Sequence, residues 1–147
     1  MKLSTRTRYG SRALLDIALH TGPNPLLLKD IAQRQEISLQ YLEHLITPLI
    51  AAGILRSIRG SKGGVMLARQ ASEIKLSEVV DALEGTTIPV ECIVHPDVCS
   101  RSGCCATRDI WGEMKKAMNG VLEETTLQNL VEKQMEKEKP EPRMYYI

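Results

Sequence analysis

Phenylalanine is absent from this chain, and aromatic residues of any kind make up only 3% of it. A core without large rings has to be built from Leu, Ile, Val, Ala and Met. At 147 residues and 43% hydrophobic content, these suffice for one domain with an appendage. Long apolar runs are missing too. No stretch would span a bilayer, and the segment after the Arg-rich start is broken by Asp16 and His20, which excludes the apolar core of a signal peptide. The expectation is a cytoplasmic protein with no membrane partner. Histidine occurs three times, and no Ser/His/Asp set or carboxylate pair stands at readable spacing, which argues against an enzyme. Neither a Walker pattern nor a dinucleotide fingerprint is present, and there are no internal repeats.

What is present is uneven. All four cysteines, Cys92, Cys99, Cys104 and Cys105, fall in one short polar stretch with a glycine at Gly103. Such a cluster is a disulfide knot, a structural zinc site, a reactive thiol switch or a cradle for an iron–sulfur centre. A reducing cytoplasm argues against the knot. The paired C-x2-C knuckles of structural zinc and the C-x-x-C of catalytic dithiols are both missing. The wide C-x6-C-x5-C spacing of Cys92, Cys99 and Cys105 suits an iron–sulfur cluster, which takes thiolates from several directions. Redox-reactive thiols without metal are the alternative.

Charge is uneven as well. The net charge is +1, but residues 1–75 hold eleven Lys/Arg against five Asp/Glu, and residues 76–147 hold eight against thirteen. A basic N-terminal half is the footprint of a chain that meets phosphate.

Along the chain, Tyr9, Ala13, Leu14, Ile17 and Ala18 follow Ser4 or Thr5 with helical period, and Gly22-Pro23 ends the run. A short second helix is predicted over Leu26–Gln35, then a tight turn at Glu36-Ile37. Ser38 is placed to cap a third helix whose buried stripe is Leu42, Leu45, Ile46, Leu49 and Ile50. Pro48 predicts a kink there, and Gly53 the left-handed residue after it. Two β-prone runs, Ile54–Ile58 and Val65–Ala68, flank a Gly-rich tip and read as a hairpin. Ser77 is expected to cap a fourth helix reaching Glu84, with Gly85 as its stop. The Thr86–Glu91 segment reads as extended. Trp111, Met114, Met118, Val121, Leu122 and Thr125 mark one face of a helix of about five turns, and Thr126 can cap a last segment carrying Leu127, Leu130 and Val131.

The fold class that follows is mainly α with a small β wing: a winged helix-turn-helix plus a long C-terminal dimerisation helix. Its expected divisions are residues 1–85 for DNA binding, 86–106 for a cysteine loop, 107–135 for dimerisation helices and 136–147 for a disordered tail. In a winged helix-turn-helix the second helix of the motif enters the major groove, N-terminal residues first. Here these are Ser38, Gln40, Tyr41, Glu43 and His44. Gln40 and His44 suit purine edges, Glu43 suits cytosine N4, and Tyr41 suits a phosphate. Arg59, Ser61 and Lys62 at the small-residue wing tip can approach the backbone or the minor groove. The apolar stripe from Trp111 to Leu122 is wider than one small domain covers, which predicts a symmetric dimer on an inverted repeat.

These stretches resemble the winged-helix family of iron–sulfur cluster regulators typified by IscR, with the nitric-oxide sensor NsrR as a cousin. The resemblance runs from residue 1 to about residue 131. It rests on Met1-Lys2-Leu3-Ser4 and Arg8-Tyr9, on Tyr41-Leu42-Glu43-His44-Leu45, on the run from Ala52 through Arg59-Gly60 to Gly63-Gly64, on Leu83-Glu84-Gly85, and on a cysteine six residues before Trp111. It implies a [2Fe-2S] cluster held by Cys92, Cys99 and Cys105, a homodimer joined through the helix after the loop, a palindromic promoter site in double-stranded DNA, and control of cluster-assembly genes. The chain departs from the pattern in one respect. Arg108 stands where the IscR-like pattern has a histidine, and Arg8 stands near where the nitric-oxide sensors have an acid. The fourth ligand is therefore open among Cys104, His95 and an exogenous group.

Overall fold

In a computed structural model of the chain, residues 2–85 and 87–142 are described. Among them the helices are α1 (Thr5–Leu19), α2 (Leu28–Gln35), α3 (Leu39–Ala51), α4 (Leu76–Glu84), α5 (Ala106–Glu124) and α6 (Leu127–Lys137). Strands β1 (Leu55–Ile58) and β2 (Gly64–Leu67) pair antiparallel between α3 and α4, with Leu55 opposite Leu67 and Ile58 opposite Gly64. This is the expected mainly helical winged-helix architecture.

The core is aliphatic, as the missing phenylalanine requires. Ala13, Leu14 and Ile17 of α1 meet Ile31 of α2, Leu42, Ile46 and Leu49 of α3, and Val79 and Leu83 of α4. Gly10 is what lets α1 and α4 come so close, since a Cβ there would lie 2.5 Å from Leu83 Cδ1. Ser4 caps α1 by accepting from the Thr7 N–H at 3.1 Å. A second cap comes from the far end of α4. The Glu84 carboxylate accepts from the Ser4 hydroxyl at 2.6 Å, from the Ser4 N–H and from the buried Thr7 hydroxyl. A negative charge at a helix N-terminus also meets the positive end of the helix dipole.

Asp16 of α1 is buried and accepts from the Arg34 guanidinium of α2, from Nε at 3.0 and 3.1 Å and from Nη2 at 2.7 Å. That fork fixes α2 against α1. The turn into α3 then runs through Glu36, which adopts a left-handed conformation at φ 56°, at a cost of roughly 1–2 kcal/mol for a non-glycine residue. Ser38 caps α3 by accepting from the Tyr41 N–H at 3.1 Å. The helix continues through Pro48 to Ala51, and Gly53 takes φ 72° after it.

Several sequence expectations are corrected. The second helix begins at Leu28, because Leu26 is drawn into a two-bond antiparallel bridge with Val65 at 2.8 and 2.9 Å. That bridge passes so near Gly64 (φ 156°) that a Cβ there would lie 2.2 Å from the Leu26 carbonyl oxygen. Ser77 does not cap α4. Lys75 holds that position, and Ser77 lies inside the helix and is buried. The cause is a second bridge, between Lys75 and Thr126, which keeps the chain extended up to Lys75. In it the Leu76 N–H donates to Thr125 and the Leu127 N–H to Ile74, both at 2.8 Å.

The same bridge places α6. Thr126 caps it by accepting from the Asn129 N–H, and Leu127 and Val131 are buried, Leu127 within the central core. The helix packs back against α1. It also continues past the expected boundary at residue 135 to Lys137, with the Gln134 amide donating to Glu138 at 2.8 Å. Residues 136 and 137 are thus helical, while the expectation for 143–147 lies outside the described residues, as does the one for Thr86. Glu91 opens a short 3-10 turn instead of ending an extended segment. Among the described residues no helix is long and apolar enough to cross a membrane.

Candidate functional site

Helix α3 buries one side and leaves the other open. Leu42, Leu45, Ile46 and Leu49 face the core, while Leu39, Gln40, Glu43, His44 and Thr47 are exposed. The spacing of these five is that of a single helix face. Ser38 is exposed just before them, its oxygen engaged by the Tyr41 N–H. Tyr41 is only half exposed. Its ring stands edge-on to Tyr9 of α1, with centroids 6.1 Å apart and planes at 79°, a favourable aromatic geometry. The Arg12 guanidinium lies over the same Tyr9 ring at 5.3 Å. A cation and two rings therefore connect α1 to the first turn of α3.

The wing follows α3 directly. Arg59, Ser61 and Lys62 at its tip are all exposed, and so is Arg56 on β1. Arg6 and Arg8 are exposed in the first turn of α1, which carries no acid. Sequence reasoning passed over two features of this surface. Arg56 reads as an ordinary strand residue, and Leu39 reads as one more apolar position, although 45% of it is exposed.

The cysteine loop is three 3-10 turns, Glu91–Ile93, Pro96–Val98 and Ser102–Cys104, between α4 and α5. Cys92 and Cys105 are half-buried, Cys99 and Cys104 are exposed, and all four thiols are free. His95 is exposed beside them. Arg108, in the first turn of α5, donates from Nε to the Cys92 carbonyl at 2.9 Å and from Nη1 to the Ser102 carbonyl at 3.4 Å. The Ser102 hydroxyl donates onward to the Pro96 carbonyl at 2.7 Å. Cys105 is the residue from which α5 starts. Its sulfur lies 3.2 Å from the Thr107 hydroxyl. That hydroxyl, with the Arg108 and Thr107 amides, pushes the thiol below its ordinary pKa, as expected of a sulfur at a helix N-terminus.

The donor set suits an iron–sulfur cluster in kind: soft thiols, accessible, on short turns, one of them already biased toward thiolate. In arrangement it is not closed. Among the described residues no three His, Cys, Asp or Glu side chains come near enough to hold one metal ion.

A profile of the Rrf2 family, described as iron-dependent transcriptional regulators, matches residues 3–133. The chain belongs to the Rrf2 family. It is 50% identical over 131 residues to the protein rrf2 of Nitratidesulfovibrio vulgaris, covering 89% of this chain and 87% of that one. Among solved structures it is similar to T. potens IscR, with a TM-score of 0.79, 35% identity, and 99% of this chain and 97% of that one covered. It is also similar to CymR, described as the global cysteine regulator of B. subtilis, with a TM-score of 0.77, 35% identity, and 90% and 98% covered. This Rrf2 protein is therefore a DNA-binding transcriptional regulator and not an enzyme.

Proposed function

We propose that this Rrf2 protein binds an inverted-repeat promoter site as a homodimer in the cytoplasm, and that an iron–sulfur cluster in its cysteine loop sets its DNA affinity, with cluster-assembly genes as targets. Ser38, Gln40, Tyr41, Glu43 and His44 meet the major groove, and Arg59, Ser61 and Lys62 meet the backbone beside it. The observation that carries this reading is a chain of contacts from the end of α4, ahead of the loop, to the reading helix. Glu84 is the last residue of α4 before the loop segment, and its carboxylate is bonded to Ser4 and Thr7 at the start of α1. One turn further along α1, Tyr9 packs on Tyr41 of α3.

Cys92, Cys99 and Cys105 would hold the cluster, of the [2Fe-2S] type, with Cys104, His95 or an exogenous group in the fourth place. When bound, such a group supplies thiolate–iron bonds whose persistence depends on iron and oxidant levels. The chain's own residues do the rest. Arg108 braces both limbs of the loop, and Cys105 presents a thiol whose pKa the Thr107 hydroxyl and the first amides of α5 lower. The C-terminal end of α5 is tied to α4 where the Leu76 N–H donates to the Thr125 carbonyl. In this reading, change in the loop reaches the end of α4 along the chain, and Glu84 carries it to Ser4 and Thr7 of α1.

A metal-free reading, in which thiol oxidation or cysteine supply is sensed directly, is favoured by the open arrangement of the four free thiols. The visible spectrum of anaerobically purified protein, with iron and sulfide assays, separates the two. Visible absorbance with stoichiometric iron and sulfide supports the cluster. A colourless protein after attempted reconstitution supports the thiols alone.

A further inference from the structure

We infer that Leu39 is a base-reading residue that packs against the C5-methyl group of a thymine in the major groove. The inference rests on the proposed DNA-binding role of α3 and adds to it a residue and the chemical group it takes.

Leu39 is the first residue of α3, directly after the Ser38 cap, and it is 45% exposed. A single exposed leucine on a protein surface is ordinary and by itself means nothing. What distinguishes this one is its company. The other leucines of α3, Leu42, Leu45 and Leu49, are fully buried. Leu39 instead shares the open face with Gln40, Glu43, His44 and Thr47. It also lies at the N-terminal end of that face, the end that reaches base edges when a recognition helix docks.

The major groove offers such a side chain one apolar partner. Purine edges and cytosine present hydrogen-bonding groups there, and thymine alone adds a methyl group. Leu39 and Glu43 are four residues apart and stack on one ridge of the helix. One helical turn is about 5.4 Å, and the duplex rises about 3.4 Å per base pair. If Glu43 accepts from a cytosine, the thymine read by Leu39 therefore lies one or two base pairs from it. Removal of a methyl group from water is worth about fourfold in affinity.

The test starts with duplexes enriched from a random pool by the wild-type dimer. In the enriched site each thymine is replaced in turn by deoxyuridine, which removes the methyl group and nothing else, and affinities are measured for wild type and Leu39→Ala. The expected result is a loss of about fourfold at one thymine position per half-site for wild type, and none at that position for Leu39→Ala. Leu39→Met, which keeps an apolar side chain of similar volume, should retain the methyl sensitivity and guards against misfolding of the alanine variant. Wild-type indifference to every thymine methyl, an enriched site without thymine, or equal sensitivity in Leu39→Ala would overturn the inference. Failure of the wild type to enrich any site would instead overturn the DNA-reading role of α3 on which it rests.

Discussion

The Arg108 guanidinium donates to the Cys92 carbonyl across 2.9 Å, joining the first turn of α5 to the first cysteine of the loop sixteen residues earlier. The same side chain reaches the Ser102 carbonyl, so one residue holds both limbs of a loop that has few other ties. Arg108→Ala should leave the fold intact and release the loop. Hydrogen exchange should speed up over residues 92–104 and stay unchanged in α3, with a stability loss of about 1 kcal/mol. Unaltered exchange across the loop would mean that the brace contributes nothing.

Glu84 makes stability depend on acid. The Ser4 hydroxyl, the Thr7 hydroxyl and the Ser4 N–H hold its carboxyl below the usual range. A group whose pKa is depressed on folding contributes fully above its unfolded value, about 4.3, and loses that contribution as the pH falls through the folded value. Wild type should therefore lose stability below that point, and Glu84→Gln should lose less over the same interval while being less stable at neutral pH. Thermal melts between pH 3 and 7 read this directly. Parallel curves for the two proteins would contradict it.

Helix α5 has no buried residue, and Val121 is 64% exposed, with Ile110, Trp111 and Met114 also open to solvent. A second copy of the chain is the proposed cover. An aspartate at Val121 or Met114 should convert the dimer to a monomer at micromolar concentration and reduce binding to a two-half-site duplex far more than to a single half-site. Sedimentation equilibrium showing an unchanged dimer would move the interface elsewhere.

Glu43 and Arg59 should behave differently as readers. Arg59→Ala is expected to weaken binding evenly and flatten the salt slope by about one unit if it meets phosphate. Glu43→Ala should relax discrimination between sites, because an acid at a base edge disfavours sequences without a matching donor. An unchanged preference profile for Glu43→Ala would remove it from the reading set.

Legibility in the sequence followed the range of the interactions. The buried stripe of α3, the Ser38 and Thr126 caps and the Gly53 terminus are local, and the side chains within a few residues decide them. Leu26, Ser77 and Leu127 were set by long-range bonding. The pairing of Leu26 with Val65, and of Lys75 with Thr126, fixes where two helices begin and returns α6 to the core, and no periodicity within either partner reports it. The site divided the same way. The open face of α3 could be read from spacing, whereas the Glu84 link to Ser4 and the Arg108 brace depend on residues brought together from distant parts of the chain.

In the proposed function loop occupancy and DNA affinity are linked, and one titration tests that linkage. Affinity for the enriched duplex is measured anaerobically for wild type and Cys92→Ala, each before and after reconstitution with iron and sulfide. The expected wild-type change is about 5- to 150-fold, equivalent to a coupling of about 1–3 kcal/mol, with no change for Cys92→Ala, which should also stay colourless. Equal affinities in all four states would contradict it and leave the cysteine loop as a tether between α4 and α5.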